Sequence, residues 1–263
     1  MGSSRERRFS HLPPGEGREK LARILDQAEQ CRRTYRQQVT DFLEPYLRKA
    51  AQDLLRGPEG VPHVADGGYE GAERQRLVLL PHEDDWPDSR ICWLLGEPSG
   101  NVETIGHRDY LGALLGLGIR REKVGDLKLT ERGCAVALDA DVAPYVESQW
   151  RQVRQSDLSI RLIDDGNVPA FVDEGEERTL TVASLRLDAL IAAIWHLSRS
   201  RADEAIGRGL LKVNGLEMTD GSKGADEGDI LSLRGFGRAI LRGVGGETKK
   251  GRIRLTVWQP ADR

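Results

Sequence analysis

The chain has only three cysteines in 263 residues, and Cys31, Cys92 and Cys134 are far apart with no CxxC arrangement. That pattern argues against a disulfide framework or a thiolate metal site and fits reduced thiols. The five histidines, His11, His63, His82, His107 and His196, are equally scattered, so no metal-ligand spacing exists. No apolar run approaches the ~18 residues of a membrane-spanning helix, and the N-terminus lacks a hydrophobic signal region. The expectation is a cytoplasmic protein with no metal or other cofactor and no membrane partner.

Catalytic motifs are also missing. No glycine-rich nucleotide loop opens a helix, and no Ser/His/Asp or Cys/His set has a recognisable local context. His107-Arg108-Asp109 imitates a kinase catalytic loop, but Leu114 stands where the metal-binding Asn is required. Gly243 to Gly246 followed by Thr248-Lys249 lacks the order of a phosphate-binding loop. With Lys250, Arg252 and Arg254 it reads as a basic hairpin. The chain is therefore expected not to be an enzyme.

What the chain does have is an uneven charge. The formal net charge is −3, yet residues 184–258 hold 13 lysines and arginines against nine acidic residues, leaving the remainder acidic. A local basic excess is the footprint of a polyanion-binding module attached to a neutral or acidic partner domain.

Periodicity divides the chain. Residues 1–17, with Arg5, Arg7, Arg8, Pro13 and Pro14, have little to bury and read as a disordered arm. Residues 18–85 form an N-terminal α/β segment. Its first helix spans Arg18 to Gln38 with Leu21, Ile24, Leu25, Ala28, Cys31 and Tyr35 inward. A second follows Thr40-Asp41, tolerates Pro45 in its first turn and faces Leu47, Ala50, Ala51, Leu54 and Leu55 inward. Gly67-Gly68 marks a turn, Arg76 to Leu80 a strand, and Glu83-Asp84-Asp85 a solvated acidic loop.

Residues 86–165 read strand (Arg90 to Leu95), helix (Arg108 to Leu117), hairpin (Asp126 to Leu129 with Cys134 to Leu138), helix (Ala143 to Val153), strand (Leu158 to Ile163). The order is βαββαβ, a ferredoxin-like or RRM-like plait. An RRM displays stacking aromatics on its two central strands. The strands DLKL and CAVAL, taken as that pair, carry none, which argues against base stacking there. Arg120, Arg121 and Lys123 follow the first plait helix and form a possible second RNA contact. His107 reads as a structural residue near that helix's start. Residues 166–180, acidic and turn-rich, are taken as a linker, and residues 181–263 as the C-terminal module.

That module organises the functional reading. Leu187, Leu190, Ile191 and Ile194 share one helical face. A second helix begins after Ser198, a capping hydroxyl, and ends near Gly209. Arg201 and Arg208 are two turns apart and form a cationic rail. Leu211-Lys212-Val213 and Leu216-Glu217-Met218 flank Asn214-Gly215, the dipeptide suited to a two-residue hairpin turn. Gly228-Asp229 turns into a strand from Ile230 to Leu233. Arg234 and Arg238 then leave the sheet beside Gly235 and Gly237, where bare backbone can approach a phosphate.

The stretch resembles the S4-type RNA-binding domain through Arg186-Leu187-Asp188, Ser198-Arg199 before Ala202, Gly209, Val213-Asn214-Gly215 and Gly228-Asp229. The resemblance implies a grip on structured RNA through its backbone, with Arg186, Arg199, Arg201, Lys212 and Asn214 as contacts. Asp188 is expected to orient a neighbouring arginine or the helix start. Across the chain from about residue 18, VADGGYEGAERQRLVLLP, TIGHRDYLGALLGLGIRREKVGDL, RLDALIAAIWHLSRSRA and LRGFGRAIL look like the bacterial YlmH family.

That likeness implies a non-catalytic protein that binds rRNA or tRNA on the large ribosomal subunit. Its expected setting is ribosome-associated quality control of stalled nascent chains, with genes often near those of cell division. The fold class expected is α+β: an N-terminal helical segment, a central plait and a C-terminal S4-type αα-β domain. The rival is an rRNA- or tRNA-modifying enzyme that uses the S4-type domain for substrate delivery, which predicts a cleft in the plait with convergent acid–base groups or a bound cofactor; Arg186-Leu187-Asp188 is similar to the catalytic segment of pseudouridine synthases but belongs here to the binding module itself.

Overall fold

The computed structural model describes residues 16–58, 60–100, 105–163, 175–248 and 251–260. It is an α+β protein whose described residues fall into two compact units, one on either side of the stretch 164–174. Most of the expected N-terminal arm lies outside the described residues.

In the first unit, helix α1 (Glu16–Thr34) carries Glu16 and Glu19 in its first turn and Arg32 and Arg33 in its last, both favourable to the helix dipole. It buries Leu21, Ile24, Leu25, Ala28 and Cys31, but not Tyr35. Tyr35 takes a φ of 53°, which ends the helix short of Gln38 and leaves its ring 72% exposed, stacked on His82 at 6.0 Å. Strand β1 (Gln38–Val39) follows, then α2 (Pro45–Leu55), which begins on its proline and buries Leu47, Ala51 and Leu55 against α1. Strands β2 (His63–Asp66) and β3 (Arg76–Leu79) complete a three-stranded sheet in the order β1-β3-β2.

The plait follows as β4 (Ile91–Pro98), α3 (His107–Gly116), a single 3-10 turn (Arg121–Lys123), β5 (Val124–Thr130), β6 (Gly133–Asp139), α4 (Ala143–Gln149), β7 (Gln152–Val153) and β8 (Ser156–Ile163). Its antiparallel sheet runs β5-β6-β4-β8-β7, the ferredoxin-like order with one short strand added. Helix α4 stops at Gln149 rather than Val153. Arg154, with φ 53°, turns the chain so that Val153 pairs with Ser156.

Alternation along β4 and β6 sends Leu94, Cys134, Val136 and Leu138 toward α3 and α4, and Trp93, Leu95, Ala135 and Ala137 to the opposite face. On that opposite face lie Phe42 and Tyr69 of the N-terminal segment. The central strands are thus β4 and β6, not the DLKL and CAVAL pair. The aromatic on β4, Trp93, is 1% exposed and meets Tyr69 edge to face at 5.8 Å. The sheet face that an RRM offers to bases is here a protein core.

Gly125 makes that contact possible. A Cβ on it would stand 2.6 Å from Phe42 Cε1 and 3.0 Å from Ala137 Cβ. Gly125→Ala is therefore expected to cost about 1–3 kcal/mol, the usual range for overpacking, read as a lower urea midpoint. An unchanged midpoint would contradict the close packing.

The second unit opens with β9 (Gly175–Val182), so residues 175–180 are strand rather than linker. Its charged residues Glu176, Glu177 and Arg178 suit an edge strand, where they discourage pairing with other chains, and this made it read as loop. Helices α5 (Leu187–Ile194) and α6 (Arg199–Gly207) follow, then β10 (Leu211–Val213), β11 (Leu216–Met218), β12 (Ile230–Leu233), β13 (Gly237–Glu247) and β14 (Ile253–Pro260). The sheet order is β11-β10-β12-β13-β14-β9. One face packs Leu211, Leu231, Leu233, Leu241, Leu255 and Val257 against the helix pair. The expected basic hairpin is β13-β14, with Lys249 and Lys250 outside the described residues.

Candidate nucleic-acid interface

The start of α5 is fixed by the loop that precedes β12: Leu187 N–H donates to Lys223 O at 2.8 Å and Asp188 N–H to Gly221 O at 3.1 Å. α6 starts on Ser198, whose hydroxyl accepts from Arg201 N–H at 3.3 Å. Ser198 is thus a cap, and its hydroxyl is committed to the backbone rather than to a ligand.

The first turns of both helices meet at Asp188. Its carboxylate accepts from Arg186 Nε at 3.1 Å and Nη2 at 3.0 Å, and from Ala189 N–H at 2.7 Å. Arg199 Nη2 stands 3.8 Å from Oδ1 of the same group. Asp188 therefore both orients arginines and closes the helix start, the two roles expected of it. The bond to Arg186 holds the Asp188 carboxyl below its usual range and raises the guanidinium in return. Arg199 finds its carboxylate in Asp188 rather than in Asp203, four residues on.

Arg201 is exposed and makes no ion pair among the described residues. Asp188 thus holds the guanidinium groups of Arg186 and Arg199 where the two helix starts meet, and exposed Arg201 lies two residues further along α6, a cationic set that suits an anionic ligand. Arg208 pairs with Glu204 at 3.7 Å, both side chains 68% exposed, a contact worth little in water.

The expected single cationic surface divides in two. Lys212 lies between buried Leu211 and Val213, so alternation turns it away from the helix layer. Cross-strand register places it in a row Glu217, Lys212, Ser232, Arg238 on the open sheet face. Asn214 is not a free contact. With φ 53° it forms the hairpin turn, donates from Nδ2 to Asp229 Oδ1 at 2.7 Å and accepts from Ile230 N–H at 2.9 Å. Arg234 is exposed in the turn after β12, and Arg238 is half-buried on β13.

The open sheet face also carries Arg254, expected in the basic hairpin, and Arg242, which the sequence reading did not place in the site. Arg242 lies 5.3 Å above the Trp258 ring and 3.9 Å from Glu177. Its place was legible, since Ala239 and Leu241 point inward and Arg238, Ile240 and Arg242 alternate with them, but the strand was not read that far.

The second expected contact, after α3, turns inward. Arg121 donates to the carbonyls of Val124 and Gly125, and burial pushes its guanidinium down to about 10. Lys123 bridges Asp41 at 2.7 Å and Asp139 at 2.8 Å. Arg120 stays outside, 3.4 Å from Glu122. The 3-10 turn thus turns two of the three cations inward, where Arg121 holds backbone carbonyls and Lys123 holds two carboxylates instead of a ligand. Beside them a cleft of about 400 Å³ is lined by residues that include Lys20, Arg23, Asp26, Asp41 and Lys123. Among the described residues there is no cluster of His, Cys, Asp or Glu fit for a metal ion, and no helix is long and apolar enough to cross a membrane.

The described residues form a two-unit α+β protein, a plait with one sheet face covered and a second unit that packs a helix pair on a six-stranded sheet. The chain belongs to the YlmH family. Residues 16–84 match the family model described as "YlmH, N-terminal", and residues 98–165 the one described as "Putative RNA-binding domain in YlmH". The chain is 36% identical over 241 residues to the Ribosome-associated protein quality control protein P2 of Bacillus subtilis (strain 168), covering 89% of this chain and 93% of that one. Among solved structures it is similar to the Cell division protein ylmH from Streptococcus pneumoniae. That likeness has a TM-score of 0.50 at 18% identity over 59% of this chain and 95% of the other, and bears on the fold.

Proposed function

We propose that this chain is a non-catalytic, cytoplasmic RNA-binding protein that associates with the ribosome. It grips structured rRNA or tRNA on the large subunit, in the quality control of stalled nascent chains. The C-terminal unit is read as an S4-type module and as the anchor. The observation that carries the reading is the meeting of Arg186, Arg199 and the two helix N-termini at Asp188, with exposed Arg201 beside them. Kinship with a relative named for ribosome-associated quality control, and a plait that matches an RNA-binding family model, support it. The plait's contribution would come from exposed groups such as Arg108, Arg120, Arg132 and Arg161 rather than from Arg121 and Lys123.

The test is sedimentation of purified chain with large ribosomal subunits before and after ribonuclease treatment. Co-sedimentation that is lost with the RNA is the expected result. Association that survives ribonuclease would point to a protein scaffold and sink the reading. The cleft beside Lys123 is what a modifying enzyme would need. Nucleoside mass spectrometry of rRNA and tRNA incubated with the chain is expected to show no new modification.

A further inference from the structure

The turn between β12 and β13 reads Arg234-Gly235-Phe236-Gly237-Arg238. Phe236 leaves 42% of its surface exposed, whereas the rest of the unit's large apolar side chains are buried or half-buried. Gly235 and Gly237 take φ of 86° and 105°, and no heavy atom lies within 4 Å of where a Cβ would stand at either. Space is therefore open on both sides of the ring's attachment.

The backbone that carries the ring is nonetheless pinned. Phe236 N–H donates to Leu233 O at 3.0 Å, and its carbonyl accepts from Trp195 Nε1 at 2.9 Å. Arg234 N–H donates to Leu210 O at 3.0 Å. The turn is thus tied to the end of α5 and to the loop before β10, and holds an aromatic ring outward in a fixed position. Exposed apolar surface held this way gains nothing for folding, and a preset ring lowers the ordering cost of whatever packs on it. Arg234, two residues before the ring, is exposed and makes no ion pair among the described residues.

We propose that this turn is a stacking site for an unpaired nucleotide base, with Phe236 against the base and Arg234 at the adjoining phosphate. The inference rests on the RNA-binding reading and adds to it a preference for unpaired nucleotides. Exposed Arg234 close to the ring in the chain, within a stretch of basic excess, favours a polyanion over an apolar protein side chain. Stacking of this kind tolerates every base, because each has a flat π face. A paired stem offers no such face to a ring outside it, so the site distinguishes loops and bulges from duplex.

The test uses the full chain and two fluorescein-labelled probes, an RNA hairpin with an unpaired loop and a blunt duplex of the same stem, read by anisotropy. Phe236→Ala is expected to weaken hairpin binding roughly tenfold and to change duplex binding by less than about twofold, while Phe236→Trp retains the hairpin. Hairpin binding unchanged in Phe236→Ala, or an equal loss on both probes, overturns the stacking site. If the wild type binds both probes in either of those cases, the RNA-binding reading stands and only this inference falls. A wild type that binds neither probe removes both.

Discussion

Asp139→Ala is expected to destabilise the first unit by about 3–5 kcal/mol, the cost of leaving a buried charge without its partner. Arg76 is 4% exposed and Asp139 2%, and they meet at 3.0 Å. The rest of the Arg76 guanidinium is committed, Nε to Thr40 O at 2.7 Å and Nη1 to Arg90 O at 2.9 Å. Asp139 also receives Lys123 and, on its other oxygen, Asp141 N–H at 3.0 Å. Its loss therefore strands the buried Arg76 guanidinium without a carboxylate and leaves Lys123 only Asp41. A urea midpoint shift in the full chain, followed by fluorescence of buried Trp93 and Trp150, measures it. A loss below about 1 kcal/mol would place the pair among weak surface bridges instead.

The same carboxylate gives a pH dependence of definite sign. Burial pushes Asp139 upward, but the bonds from Lys123 and the Asp141 amide and the charge of Arg76 outweigh it and hold the group below its usual range. As pH falls, the unfolded chain takes up this proton first, near its ordinary value of about 4. The stabilisation is full above that value and is lost as pH drops through the lower folded one. In Asp139→Asn that part of the acid limb should flatten.

The second large effect concerns RNA. Changing Arg186, Arg199 and Arg201 together to alanine is expected to weaken binding to large ribosomal subunits on the order of 100-fold, because each removes up to one phosphate contact. Changing Lys212 and Arg254, on the open sheet face, should cost less if the helix termini are the anchor. Equal losses would make the two faces one continuous track. Asp188→Ala is the informative companion. It frees Arg186 and Arg199 of their carboxylate but also removes the bond to the Ala189 amide at the start of α5, so a loss of affinity would assign Asp188 to positioning, whereas retained affinity with lower stability would leave it a structural role alone.

Helical spacing made much of this legible. Leu21, Ile24, Leu25 and Ala28, and then Leu187, Leu190, Ile191 and Ile194, declare their buried faces at intervals of three and four, and the core follows them. The plait order was readable because its strands are continuous apolar runs between charged turns. Three features were hidden for physical reasons. Positive φ at Tyr35 ends a helix early, and at Arg154 it turns a short hairpin where the helix was expected to run on, both at residues whose type gives no warning. Strand β9 is polar because it is an edge. The inward course of Lys123 depends on Asp41, about eighty residues away in sequence, which no local pattern reveals. Within the site, the sequence named the helix-side arginines. It could not show that Lys212 lies on the opposite side of the sheet, or that Asn214 is spent on its own turn.

The most direct measurement is the affinity of the wild-type chain and the Arg186, Arg199, Arg201 triple variant for large subunits between about 50 and 200 mM salt. A backbone grip centred on the helix termini predicts a steep linear fall of log affinity with log salt for the wild type. For the variant it predicts a slope shallower by up to about three units. Identical slopes and affinities for the two proteins would contradict it.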